Sequence, residues 1–208
     1  VAKSHSPSTA RNLHSYLSHC LKDAVGDGLI PEHPMRHLTI PKSPSKAENA
    51  FDVDRSVALL RWLARQIDED TEWADLAPLF IAYLLTGARR SELLGLTPER
   101  VTDALDVQWQ LQWLKKADLD NASADYEYQH IRRGFYLVRP KSRAGWRSYP
   151  LVEPLKSVMS RAAADVEPGS LIFTRPDGEP WNPDQITKLW PQMLVAAGLS
   201  LIHISEPT

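Results

Sequence analysis

An arginine and a glutamate stand three residues apart, just beyond a glycine that interrupts an apolar segment. Arg89 and Glu92 lie in the stretch Thr86-Gly87-Ala88-Arg89-Arg90-Ser91-Glu92, and side chains three positions apart on a helix can meet. An arginine fixed by a carboxylate can offer its planar fork to two phosphate oxygens. The pair could therefore bind phosphate, but the spacing taken alone favours the alternative, a surface salt bridge at a helix junction.

A lysine in a basic turn is the second candidate. Lys141 lies in Arg139-Pro140-Lys141-Ser142-Arg143-Ala144-Gly145-Trp146-Arg147, between two predicted strands. Neighbouring positive charges disfavour the protonated form of a lysine, which suits a residue that gives up a proton during a reaction. The alternative is a basic hairpin that only increases solubility.

The elements that must position these residues are helices, then short strands, then helices. Helical periodicity and capping signals predict helices over 6–25, 54–67, 71–86, 90–94, 153–165 and 183–197. Alternation and β-rich composition predict strands over 107–113, 135–138, 147–152 and 171–173. The strands 135–138 and 147–152 are expected to form a hairpin, and 115–129 an exposed insertion. This order predicts an α+β fold that is mainly helical with a small antiparallel sheet.

Domain organisation follows from where the core-forming segments lie. Residues 1–41 hold one helix, which cannot bury a core alone, so we expect them to be the end of a helical domain. Residues 42–53 are polar and proline-flanked and indicate a linker, and 54–198 are expected to be the first part of a second domain. Residues 199–208 resemble the conceptual translation of a sequencing-library adapter, and we expect them to be an artefact.

Composition excludes several classes of protein. A single cysteine, Cys20, excludes an internal disulfide and a cysteine metal cluster. No apolar run approaches the roughly 20 residues of a transmembrane helix, so a cytoplasmic protein without membrane partners is expected. The net charge of −2 argues against a nucleic-acid partner, but one stretch is basic and free of acids; it contains Arg132, Arg133, Arg139, Lys141, Arg143 and Arg147. A solvated surface is the alternative explanation of this charge run.

Taken together, the two motifs resemble the catalytic domain of tyrosine recombinases, the phage-integrase family. That family has Thr-Gly-x-Arg-x-x-Glu followed by leucine, and then a strand pair with Pro-Lys-Ser and a basic turn before Pro-Leu. The wording of 109–112 and 139–147 is similar to integrases of actinobacterial phages and prophages, and 8–41 resemble the end of their core-binding domain. The resemblance covers about residues 6–198.

The resemblance implies a role for each residue that matches the motif. Arg89 would stabilise the transition-state phosphate, Lys141 would protonate the 5′-hydroxyl leaving group, and Glu92 would support Arg89. The resemblance also implies a partner, double-stranded DNA, and an intact parent that acts as a tetramer on paired DNA sites without metal or nucleotide cofactor. Further DNA contacts are expected from Arg90, Arg139, Arg143, Arg147, Arg11 and Lys42.

The sequence departs from the family pattern at its end. The family has a His-x-x-Arg motif soon after the last predicted helix, then a second His or Trp and the nucleophilic tyrosine, and residues 199–208 contain none of these. His203 is followed at the third position by Glu206. Tyr136 and Tyr149 lie on or beside predicted strands, which favours packing roles. We therefore expect a chain that lacks the nucleophile and is inactive by itself.

Three functions remain open from the sequence. The chain is expected to be a fragment of a site-specific recombinase, an enzyme that cleaves and rejoins DNA through a 3′-phosphotyrosine. The alternatives are an integrase-derived DNA-binding module without catalysis and a protein-interaction domain that keeps only the fold. The presence of both Arg89 and Lys141 favours the first, since neither binding nor scaffolding requires a leaving-group acid.

Overall fold

A computed structural model describes residues 7–38, 51–140 and 145–199. The chain divides into two compact units, Val1–Ala50 and Phe51–Thr208, and this division falls within the predicted linker 42–53. No helix among the described residues is long and apolar enough to cross a membrane.

The described residues of the first unit, 7–38, contain one helix, α1 (Pro7–Gly26). Gly28 has φ +73° and ends it: the N–H of Leu29 donates to the carbonyl of Ala24 and that of Gly28 to Val25, the pattern of a Schellman motif. Helical spacing predicts an apolar stripe made of Ala10, Leu13, Leu17, Cys20, Leu21 and Ala24. Of these, only Ala10 is buried, whereas Leu13, Leu17 and Cys20 are exposed. The prediction of the helix is confirmed, but half of its apolar stripe is exposed in this chain.

The second unit contains six α-helices and one 3₁₀ helix, Pro98–Arg100, among its described residues. The α-helices are α2 (Val53–Asp68), α3 (Ala77–Thr86), α4 (Arg90–Leu94), α5 (Lys116–Asp120), α6 (Leu155–Ala164) and α7 (Pro183–Ala196). Short-range caps explain several of their ends. At the start of α2, the carboxylate of Asp52 accepts a hydrogen bond from the backbone N–H of Arg55. At the start of α7, the side-chain oxygen of Asn182 accepts one from the backbone N–H of Asp184.

Helix α3 forms the centre of the core. Its residues Ala77–Ala82 are all buried, and α2, α6 and α4 contact it. The helix begins later than predicted because Thr71 organises a turn before it: its hydroxyl donates to Gln66 and accepts the N–H of Trp73, a local alternative to helical hydrogen bonding. The buried residues of α2 are Leu59, Leu63 and Gln66. Its buried face is therefore rotated from the face that helical spacing predicts, which consists of Val57, Leu60, Leu63, Ala64 and Ile67.

The strands form two antiparallel sheets. Strand β1 (Ala104–Val107) pairs with β5 (Arg147–Pro150), and β4 (Phe135–Val138) lies between β2 (Gln110–Trp113) and β3 (Tyr128–Arg132). The α+β prediction with antiparallel sheet is confirmed. The architecture is mainly helical, and in the sequence the five strands all lie between α4 and α6.

Four expectations about strands and connections differ from the structure. The predicted strand 107–113 is two strands, because the hydrogen-bonding partner changes from β5 to β4 at Gln108 and Trp109, although Val107, Trp109 and Leu111 remain buried as their alternation predicts. The strands β4 and β5 are not a hairpin, since each pairs elsewhere. Residues 171–173 form no strand, and 115–129 are mostly exposed as expected but are not irregular, since they contain α5 and the start of β3.

Candidate functional site

The junction between α3 and α4 places Arg89 at the surface of the core. Helix α3 ends at Gly87, whose φ of +62° lies in the left-handed region. The hydroxyl of Thr86 donates to the carbonyl of Ala82 and accepts the N–H of Ala88, which fixes the chain as it leaves the helix. Arg89 then adopts an extended conformation and caps α4, so a rigid buried helix precedes the arginine and a short helix follows it.

Glu92 holds Arg89 through two hydrogen bonds. One carboxylate oxygen accepts the backbone N–H of Arg89 at 2.7 Å, and the other accepts Nη1 of the same residue at 2.8 Å. The Glu92 side chain is 0% exposed and that of Arg89 is 60% exposed. The buried carboxylate therefore fixes one edge of a guanidinium whose other side faces solvent, the geometry required of an anion-binding arginine.

Arg147 joins this site from the start of β5. Its Nη1 donates to the hydroxyl of Tyr149 at 3.2 Å. This hydrogen bond, and next the negative charge of Glu92, raise the pKa of Arg147 above its ordinary value. The charge of the buried glutamate of the first motif therefore influences the last arginine of the basic motif.

Comparison with solved structures identifies the class to which this fold belongs. No family model matches the sequence, and no curated protein matches it. The Tn1549 transposon integrase in complex with a circular intermediate DNA superposes with a TM-score of 0.72 at 18% identity, over 94% of this chain and 60% of that one. A lambda integrase dimer bound to a COC′ core site gives a TM-score of 0.59 at 16% identity, over 94% and 47% respectively.

Both of these proteins are tyrosine recombinases. The chain has the tyrosine recombinase fold. It spans 60% of the Tn1549 integrase chain and 47% of the lambda integrase chain, so it corresponds to a part of each. At these identities the similarity establishes the fold, and the functional residues must be argued from their own contacts.

Three of the predicted site residues lie outside the described part of this recombinase fold. They are Lys141, Arg143 and Lys42. The expectation that Arg89 and Lys141 meet at one phosphate therefore stays a prediction. The residues on either side of this turn are described. Among them is Arg147, whose pKa is raised in part by the negative charge of Glu92.

The other predicted DNA-contacting arginines are placed differently from one another. Arg11 is exposed on α1. Arg90 donates to the carbonyl of Pro183 at 2.9 Å and lies 3.8 Å from the carboxylate of Asp184, so it ties α4 to the start of α7. Arg139 lies between two tryptophans and next to Glu127. The arginines of the basic stretch are thus not one continuous DNA-facing surface.

Two further arginines of that stretch have an acidic partner distant in sequence. Arg132 and Arg133 lie 3.0 Å and 3.5 Å from the carboxylate oxygens of Glu179. Glu179 is only 12% exposed, so this pairing ties the turn after β3 to the loop before α7. The sequence offered no signal for it, because the acid lies in another segment of the chain.

The His-x-x-Arg spacing occurs twice in the described residues, and both copies have structural contacts. His33 of the first copy bonds to Ser18 and accepts the N–H of Met35. The second copy, His130-Ile131-Arg132-Arg133, was missed by the sequence reasoning; the ring of His130 lies 4.9 Å from that of Tyr136 and bonds to the carbonyl of Arg133. The side chain of Arg89 bonds to Glu92 and not to a residue of either copy.

The tyrosine hydroxyls near the site are also engaged. The hydroxyl of Tyr83 donates to the carbonyl of Arg90 at 3.1 Å, and burial raises its pKa well above the ordinary value although the charge of Arg90 opposes this. The hydroxyl of Tyr149 accepts from Arg147. These contacts hold Tyr83 in its neutral form and give Tyr149 a role in orienting Arg147.

Proposed function

We propose that this chain is the phosphate-binding part of a site-specific DNA recombinase. The observation that carries the proposal is the Arg89–Glu92 pair: a fully buried carboxylate holds a guanidinium that remains 60% exposed. A pair made only for stability would gain little from an arginine this exposed. The fold supports the choice of partner, because the neighbours of known structure are integrases bound to DNA.

The proposed chemistry assigns one step to each residue. Arg89 binds the non-bridging oxygens of the scissile phosphate and stabilises the negative charge of its pentacoordinate transition state. Lys141 donates a proton to the 5′-oxygen as that bond breaks. In the intact parent a tyrosine would attack the phosphorus and form the 3′-phosphotyrosine. Arg147, whose pKa the charge of Glu92 helps to raise, is proposed to add positive charge to the same phosphate.

This chain is proposed to bind DNA without cleaving it. The hydroxyls of Tyr83 and Tyr149 are engaged in the contacts described above, and this observation also favours the second candidate function, an integrase-derived DNA-binding module. The two candidates share the prediction that Arg89 contacts phosphate. They differ in whether a nucleophile belongs to the parent protein, which its complete reading frame would decide.

Binding of duplex DNA at several salt concentrations tests the shared part. We expect Arg89→Ala to weaken binding at least about tenfold, the effect of losing a hydrogen bond between charged groups, and to reduce the salt slope by about one. The matched control is Arg161→Ala, which removes an arginine that is 68% exposed and lies on α6. Equal effects of the two substitutions would refute a specific phosphate contact at Arg89.

A further inference from the structure

Arg90 is held from two sides at the first turn of α4. Its Nη1 donates to the backbone carbonyl of Pro183 at 2.9 Å and lies 3.8 Å from a carboxylate oxygen of Asp184, both at the start of α7. Its own backbone carbonyl accepts a hydrogen bond from the hydroxyl of Tyr83, on α3, at 3.1 Å. Arg90 therefore connects α4 to α3 through its main chain and to α7 through its side chain.

A helix as short as α4 needs contacts of this kind to keep a fixed position. It has five residues, fewer than the roughly 12–15 that an isolated helix needs. Leu93 and Leu94 are 0% exposed and anchor its C-terminal end in the core. Glu92 holds Arg89 relative to α4, whereas Arg90 holds the first turn of α4 relative to α3 and α7.

The start of α7 is a firm support for this contact. The ring of Trp190, on α7, lies 5.7 Å from that of Phe80 on α3, so α7 packs on the same core helix. Asp184 is 85% exposed, and an ion pair so exposed contributes little. The hydrogen bond from Arg90 to the carbonyl of Pro183 is therefore the stronger part of the connection, since its donor is charged.

We propose that Arg90 is a positioning residue that holds the first turn of α4, and with it Arg89, where Arg89 meets a phosphate. The inference rests on the proposed function, because it takes Arg89 to bind phosphate. It replaces the sequence-based expectation that Arg90 itself contacts DNA. Arg89 and Arg90 are adjacent in the chain and both carry a positive charge, but one faces the ligand and the other acts within the protein.

Duplex binding by Arg89→Ala, Arg90→Ala and the double variant tests this as a double-mutant cycle. We expect Arg90→Ala to weaken binding about fivefold, because a displaced Arg89 donates poorly to the phosphate. The double variant should bind within about twofold of Arg89→Ala, since nothing is left for Arg90 to position. In the Arg89→Ala background, removal of Arg90 should also leave the salt slope unchanged. Arg161→Ala in the same two backgrounds is the control for the loss of one positive charge.

Tyr83→Phe separates positioning from the loss of a charge. It removes only the hydroxyl that holds the carbonyl of Arg90 and leaves every charge in place. We expect it to weaken binding about threefold, because the lost hydrogen bond is a neutral one, and to have no effect in the Arg89→Ala background. Urea unfolding of each variant identifies the conditions under which it is folded, and binding is measured there.

Two results would overturn the positioning role of Arg90. One is normal binding by both Arg90→Ala and Tyr83→Phe. The other is a double variant of Arg89 and Arg90 whose losses multiply to about fiftyfold, with a further fall of about one in the salt slope, because Arg90 would then contact phosphate itself.

Neither of these results touches the proposed function, which depends on Arg89. Equal binding by Arg89→Ala and Arg161→Ala would remove the proposed function, and the positioning role with it, before Arg90 is considered. The single variant of Arg89 therefore distinguishes failure of the proposed function from failure of this inference alone.

Discussion

Replacement of Glu92 by glutamine tests whether the buried carboxylate organises the site. Glutamine has the same shape, and its single amide oxygen can accept one of the two hydrogen bonds that Glu92 now accepts at 2.7 Å and 2.8 Å. If the oxygen keeps the backbone N–H of Arg89, the amide NH₂ faces Nη1, and two donors oppose each other. The guanidinium must then turn away to solvent, which it can do because it is 60% exposed.

The expected change in the free energy of unfolding combines the loss of a hydrogen bond with a smaller desolvation penalty for the buried group. A hydrogen bond to a charged group contributes roughly 1.5–3 kcal/mol, and solvent access to Arg89 reduces this. Replacing the buried charge by a neutral amide relieves part of its desolvation. We expect Glu92→Gln to lower the free energy of unfolding by about 1 kcal/mol. Glu92→Ala also removes the cap at Arg89, worth about 1 kcal/mol, and leaves a cavity, so we expect about 3 kcal/mol in total.

Urea unfolding followed by the fluorescence of the seven tryptophans measures these differences, and duplex binding measures the loss of orientation at Arg89. The control is Glu72→Gln, an exposed glutamate whose replacement should stay within about 0.5 kcal/mol. We expect Glu92→Gln to weaken DNA binding about as much as Arg89→Ala does. Glu92→Gln that binds DNA normally, or Glu92→Ala no less stable than the control, would refute the idea that the buried carboxylate fixes the arginine.

Three further predictions concern the α3–α4 junction, the stability of the protein at low pH and the formation of a covalent adduct with DNA. Gly87→Ala should lower the free energy of unfolding by about 1 kcal/mol in urea, because φ is +62° although no atom lies within 4 Å of the added Cβ; an unchanged midpoint would contradict this. Hydrogen bonds from Thr97 and from backbone N–H groups, including that of Gly169, lower the pKa of Glu99, so its contribution to stability is present above about pH 4.3, the unfolded value, and is lost as the pH falls through the folded value. The stability difference between wild type and Glu99→Gln should accordingly shrink in acid, and a difference that grows below pH 4 would reverse the sign. Incubation with a suicide duplex should give no covalent protein–DNA adduct on denaturing gels, since the chain is proposed to lack a nucleophile; an adduct would be mapped to its tyrosine and would disprove that part of the proposal.

Local signals in the sequence predicted the helices well and the strand pairing poorly. Local sequence predicts the start of α7 at Asn182 and Pro183. It also predicts the left-handed glycines at 28, 87 and 198 that follow helices. Both features depend on residues adjacent in the chain. Strand pairing depends on distant segments. The alternation over 107–113 correctly predicted burial, but nothing in it indicates that its first half pairs with β5 and its second half with β4.

The same distinction explains which parts of the site were predictable. The Arg89–Glu92 contact is local, and its spacing predicted it. The partners of the other arginines are distant: Glu179 for Arg132 and Arg133, Pro183 and Asp184 for Arg90, and two tryptophans with Glu127 for Arg139. A count of positive residues therefore overestimates the surface available to DNA, because it cannot show which charges are balanced inside the protein.

The buried carboxylate, rather than the number of basic residues, is what distinguishes the candidate site. Most arginines of the basic stretch that the structure describes are paired with acids at partly exposed positions, whereas Glu92 is fully buried and holds both the backbone and the guanidinium of Arg89 by hydrogen bonds. The side chain of Arg89 nevertheless stays 60% exposed, so part of its guanidinium faces solvent. That part is held on the core through α3 and α4, and a phosphate anion can accept hydrogen bonds from it.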